Sequence, residues 1–169
     1  ISVEWRSARA LPVPHMLQQA KAADIIVVGA RSETLVDPSA AADPSDLVMQ
    51  AGRPLIVVPP TVPWLDLRSV LIAWKDVREA RRAVFDALPI LAAAKEVTIA
   101  QIPEQSGHRA AAASDVADVA AWLRGHGIAA HTVVPESTAG TVDQLEKVAA
   151  NVGAGVVVVQ WQSGVPVTV

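Results

Sequence analysis

Six short apolar runs constrain this chain more than any other feature: Ile25 to Val28, Leu55 to Val58, Val70 to Trp74, Val97 to Ile99, Val156 to Val159 and Val165 to Val169. Runs of three to five mostly β-branched residues, without polar alternation, have no face to turn to solvent. They suit strands buried on both sides of a parallel sheet. Parallel strands need crossovers, and helical patterns fill several of the intervals. Arg78 to Ala94 places Ala83, Leu88 and Leu91 near helical spacing, with Pro89 expected to kink or end the helix. Ala112 to Gly127 reads as a second helix, with Ser114 and Asp115 as caps, and Thr141 to Gly153 as a third. Asp43 and Ser45 around Pro44 read as a further helix start. The alternation of strand and helix predicts an α/β fold with a doubly wound, Rossmann-like parallel sheet.

An internal repeat divides the chain. Gln18 to Val28 and Lys147 to Val159 each run from a helix end through a small-residue break into an apolar strand. AGRPLIVVPP and QSGVPVTV then repeat a small residue and a proline before the next strand. This predicts part of one unit over residues 1–60, a linker at 61–67 within the proline-rich Pro59 to Leu67, and a second unit over 68–169. Trp64 is expected to anchor the linker. In the second unit only Gln160 to Gly164 separates the last two runs, whereas a parallel crossover takes roughly 10 to 12 residues or more. Either those runs form a hairpin or residues are missing between Gln160 and Trp161, and the second is the expectation adopted.

At 169 residues and 51% hydrophobic, the chain can bury one large core or two small ones. A formal net charge of −3 supplies no general attraction for nucleic acid or an acidic membrane surface. No apolar stretch reaches the roughly 18 to 20 residues of a membrane helix, and the first residues lack the pattern of a secretory signal. Cysteine is absent, which removes disulfides, thiolate metal sites and a cysteine nucleophile, and makes the cytoplasm the expected compartment.

Three segments, AADIIVVGARS, AGRPLIVVPP and SVLIAWKDVREARRAV, resemble in their order the universal stress protein family in its tandem form. They are similar to the family's fourth strand with its loop, its fifth strand, and the first strand and helix of the next unit. The resemblance implies a five-stranded parallel sheet per unit, two units about a pseudo-twofold axis, and pairing as a homodimer or an intramolecular pseudo-dimer. It implies a stress-response or signalling role; some members bind ATP or AMP, and many bind no nucleotide.

In an open α/β sheet ligands sit beyond the carboxyl ends of the strands, so the loops after Trp74, Ile102, Gly29 and Val159 are where a site is expected. Nucleotide-binding members of the family carry an acidic residue after the first strand and G-x-x-G-x9-G-[ST] after the fourth. Here Lys75 stands at the acidic position and Asp76 follows; Gly29 matches the first glycine, Ser32 the second, and Ala41 and Ala42 fall near the final pair. Gln160 stands at the first glycine of the second unit. Lys75 can meet a phosphate as a point charge, and Asp76 can accept from a ribose or an adenine amine. The alternative is that Asp76 caps the helix beginning near Arg78 while Lys75 stays solvated. Trp74 either stacks on a base or fills the pocket. Arg31 and Ser32 either line an anion site or form an ordinary polar loop.

The four histidines, His15, His108, His126 and His131, lack metal-ligand spacing, and there is no G-x-S-x-G nucleophile motif. The residues thus point to no catalytic constellation and no metal. The leading expectation is a non-enzymatic module of the universal stress type that binds ATP or AMP in one unit. The alternatives are a dimeric interaction protein of the same fold without nucleotide and, more weakly, a small adenine-nucleotide hydrolase.

Overall fold

Five of the six apolar runs become parallel strands, and the chain collects them into two compact units that divide between Pro63 and Trp64. The computed structural model describes residues 2–30, 41–136 and 140–160. The run Val165 to Val169, and with it the choice between a hairpin and missing residues, lies outside the described residues.

In the first unit, β1 (Ile26–Gly29) and β2 (Leu55–Val58) form a two-stranded parallel sheet in the register Ile26 to Leu55 through Gly29 to Val58. Helix α1 (Pro12–Gln19), continued by a 3-10 turn over Ala20–Ala22, packs on α2 (Pro44–Ala51). The α2 start is the one read from sequence. Asp43 Oδ1 accepts from the Ser45 N–H at 2.8 Å, and Pro44 takes a first-turn place where no N–H is needed. Gly52 ends the helix at φ 58°, a left-handed conformation that favours glycine. The core here is small, with Leu47, Ile26 and Ala20 buried.

The second unit holds the larger sheet. Strands β3 (Ser69–Ala73), β4 (Glu96–Ala100), β5 (His131–Val133) and β6 (Val156–Val158) lie in the order β5-β4-β3-β6, and every pairing is parallel. Helices α3 (Arg78–Asp86) and α4 (Leu88–Ala93) connect β3 to β4, α5 (Arg109–Gly125) connects β4 to β5, and α6 (Thr141–Asn151) connects β5 to β6. The chain thus winds outward from β3 to β5, then returns to add β6 on the other side of β3. This is a doubly wound α/β sheet.

Alternation along the strands sorts the core into two layers. Val70, Ile72, Trp74, Val97 and Ile99 face one way, into a layer with Ala80, Val84, Leu91, Val116, Ala120 and Leu123 from α3, α4 and α5. Leu71 and Ala100 face the other way and meet Val148 of α6. Burial on both faces holds for the central strands β3 and β4, whereas β1 and β6 are also continuous apolar runs yet leave Val27 and Val157 exposed, so the expectation of two buried faces fails for them.

The break expected at Pro89 is present: the segment forms two helices, because Pro89 cannot donate to the ladder and takes a first-turn position in α4. Two details differ from the sequence reading. Ser114 and Asp115 do not cap α5, which begins at Arg109, so both lie inside it. Trp64 is 71% exposed and does not anchor the linker by burial.

Candidate site at the carboxyl edge of the second sheet

The sheet order reverses at β3, so the crevice between the carboxyl ends of β3 and β6 is its topological switch point. The ends stay in step past the last strand residues. Trp74 N–H donates to Ala100 O at 2.7 Å and Gln101 N–H to Val133 O at 3.2 Å. Extending the pairing of Val158 with Ile72 by two residues sets Gln160 opposite Trp74. The fold thereby brings Trp74, Lys75 and Asp76 after β3, Ile102 after β4, and Gln160 after β6 to one edge. Gly29 ends β1 in the other unit, paired with Val58. Arg31 and Ser32 lie outside the described residues.

Trp74 is 9% exposed, and its ring belongs to the core layer beneath α3, α4 and α5 rather than presenting an open face. Its Nε1–H has no hydrogen-bond partner among the described residues, and neither has Gln101 Oε1. Gln101 follows β4 as Trp74 follows β3, so the two side chains leave the same face of the sheet. The Gln101 amide has a fixed sense, because its Nε2 donates to Asp115 Oδ2 at 3.1 Å and a carboxylate can only accept. Ile102 and Gln160 are half-buried behind these positions.

The charged residues at this edge are engaged with one another. Lys75 Nζ lies 2.8 Å from Glu104 Oε1, joining the segment after β3 to the segment after β4. Asp76 does not cap α3; the N-cap is Val77, with no side-chain cap. Instead Asp76 Oδ1 accepts from Arg81 Nη2 at 2.5 Å and from Nε at 3.1 Å. Arg109, at the start of α5, approaches Glu136 after β5 at 3.4 Å. Glu104 titrates below its ordinary value because Lys75 donates to it and adds its positive charge, with His108 a lesser contributor. Sequence reasoning identified Lys75 and Asp76 but missed Glu104, Arg81 and Gln101. A carboxylate in the connection after the neighbouring strand was the available signal.

At the opposite, amino edge a groove of about 400 Å³ is lined by Arg68, Ser69, Lys95, Glu96, Val152 and Gly153. Its guanidinium is bound by Asp66 at 2.6 Å, and the Ser69 hydroxyl donates to Val152 O at 2.9 Å. Among the described residues no cluster of three metal-ligating side chains is present, and no helix is long and apolar enough to cross a membrane. The chain matches no protein-family model, and comparison with curated proteins finds no match.

Proposed function

We propose that this chain is a non-enzymatic stress-response or signalling module of the universal stress type, binding ATP or AMP at the carboxyl edge of the second unit's sheet. The observation that carries the reading is the strand reversal at β3, which sets Lys75 and Asp76 beside the switch-point crevice. Lys75 is the residue for a phosphate, with Asp76 for a ribose hydroxyl or the adenine amine. Trp74, Ile102 and Gln160 stand at the ends of β3, β4 and β6 on the same edge, and Gly29 stands at a strand end in the first unit. The reading carries with it pairing as a homodimer or pseudo-dimer and residence in the cytoplasm.

A second reading is favoured by one specific feature. Lys75 and Asp76 already hold counter-charges and Trp74 fills core space, which suits an interaction protein that works through its dimer surface without nucleotide. Thermal unfolding with and without ATP or AMP separates the two. A ligand bound only by the folded state stabilises it by about 2.7 kcal/mol at a hundred times its Kd. A rise in melting temperature that saturates with ATP or AMP is expected. An unchanged melting temperature at millimolar nucleotide, with calorimetry silent, supports the second reading instead.

A further inference from the structure

We propose that Glu104 is a built-in competitor for the anion site: in the ligand-free protein its carboxylate occupies Lys75, and a phosphate group binds by displacing it. The inference rests on the reading of Lys75 as the phosphate-facing cation. It starts from the position of the ion pair. Lys75 is the second residue past β3 and Glu104 the fourth past β4, so a single 2.8 Å contact ties together the segments leaving two adjacent strands. The pair therefore lies at the carboxyl edge, on the β4 side of β3, and Lys75 is the end of it that stands next to the switch-point crevice between β3 and β6.

The neighbouring charges do not relieve Lys75 of its partner. Arg81 is held by Asp76 and Arg109 by Glu136, so Lys75, Arg81 and Arg109 face Asp76, Glu104 and Glu136 in matched pairs. Asp115, whose carboxylate accepts from the neutral Gln101 amide, adds a further negative charge, so these residues leave no excess of cations and an incoming polyanion gains attraction only by exchanging one of the paired carboxylates. Glu104 is the one whose departure frees a cation beside the switch point, because Lys75 directly follows Trp74.

Both groups are accessible for such an exchange, with Lys75 50% and Glu104 70% exposed at the side chain. An exposed pair is weak, so Glu104 sets a threshold and does not seal the site. The threshold discriminates by charge. A triphosphate offers several anionic oxygens in place of one carboxylate, whereas a singly charged ligand offers no net gain. Glu104 is thus a specificity-determining residue that biases the edge towards polyphosphate over singly charged anions.

Titration calorimetry of the full chain with inorganic tripolyphosphate, ATP and acetate tests this on wild type, Glu104→Gln, Lys75→Gln and the double variant. Glu136→Gln serves as a control that removes the same charge elsewhere on the edge. Circular dichroism verifies that each variant is folded. Glu104→Gln is expected to tighten tripolyphosphate and ATP about two- to fivefold, as befits an exposed pair. The gain should vanish in the Lys75→Gln background, since the two residues act through one contact. Acetate should bind wild type negligibly.

Equal affinity in wild type and Glu104→Gln overturns the proposal, as does the same gain in the Lys75→Gln background or in Glu136→Gln. If ATP binds wild type and Glu104→Gln equally, the competitor fails while nucleotide binding stands. If tripolyphosphate shows the Lys75-dependent gain and ATP binds no better than tripolyphosphate, the competitor stands while adenine recognition fails. No binding to any variant overturns both.

Discussion

Lys75 and Asp76 lie next to each other in sequence, yet each pairs with a different element: Lys75 with Glu104 beyond β4, Asp76 with Arg81 within α3. Their place at a strand end was legible, because an apolar run that stops at Trp74 sends the next residues to the sheet edge. Their partners were not. Side-chain pairing depends on which strand lies alongside, and no local pattern encodes that β4 is the neighbour of β3. The same holds for Asp66, whose pairing with Arg68 lies at the amino edge. There the Arg68 guanidinium first, and its backbone N–H second, hold the Asp66 carboxyl at about 2 rather than 3.8. Because the folded value is lowered, ionised Asp66 favours the folded state. That contribution is complete above about 3.8 and is lost as the pH falls through about 2. Carbon-detected NMR titration should find Asp66 near 2 in wild type and higher in Arg68→Ala. The rise should stop short of the ordinary value, because the backbone N–H of residue 68 still donates from 2.9 Å. An Asp66 that titrates identically in both proteins contradicts this account.

At the scale of elements, the strands declared themselves and their connections did so unevenly. Runs such as Val70 to Trp74 and Val156 to Val159 became β3 and β6 within a residue of the expected limits; burial on both faces explains the unbroken apolar record of β3 but not that of the edge strand β6, where Val157 is exposed. β5 escaped notice because His131, Thr132 and Val133 form too short and too polar a run at the sheet margin. The start of α5 was misplaced because Ser114 and Asp115 have cap chemistry, although Asp115 instead spends its carboxylate on Gln101. β6 depends on a close approach that only glycine permits. A Cβ at Gly155 would collide with the Asp66 carbonyl oxygen and come within 2.8 Å of the Asp66 Cβ. The Gly155 N–H donates to Ser69 O at 2.9 Å, so the backbone there is tied to the head of β3. Gly155→Ala should therefore cost about 1 to 3 kcal/mol, as overpacking against fixed backbone does. The gain of about 0.4 to 1 kcal/mol from a stiffer unfolded chain offsets only part of that cost. Urea denaturation measures it, and an unchanged midpoint would show that β6 shifts freely away from Asp66.

For the whole molecule, the doubly wound fold was legible because strand and helix alternate along the chain. The second unit supplies a four-stranded sheet with a reversal at β3, and the first a two-stranded sheet, so the switch point belongs to the second. Function was less legible, because a fold locates where a ligand would bind without specifying which one. The central claim is that ATP meets the carboxyl edge of the second sheet. Amide NMR shifts followed residue by residue during ATP titration of the full chain test it most directly. The account predicts saturable shifts confined to Trp74, Lys75, Asp76, Gln101, Ile102, Glu104 and Gln160, with the Trp74 indole N–H moving in step. Saturating ATP that leaves those signals in place, or that moves Ser69, Lys95 and Gly153 at the amino edge instead, would contradict it.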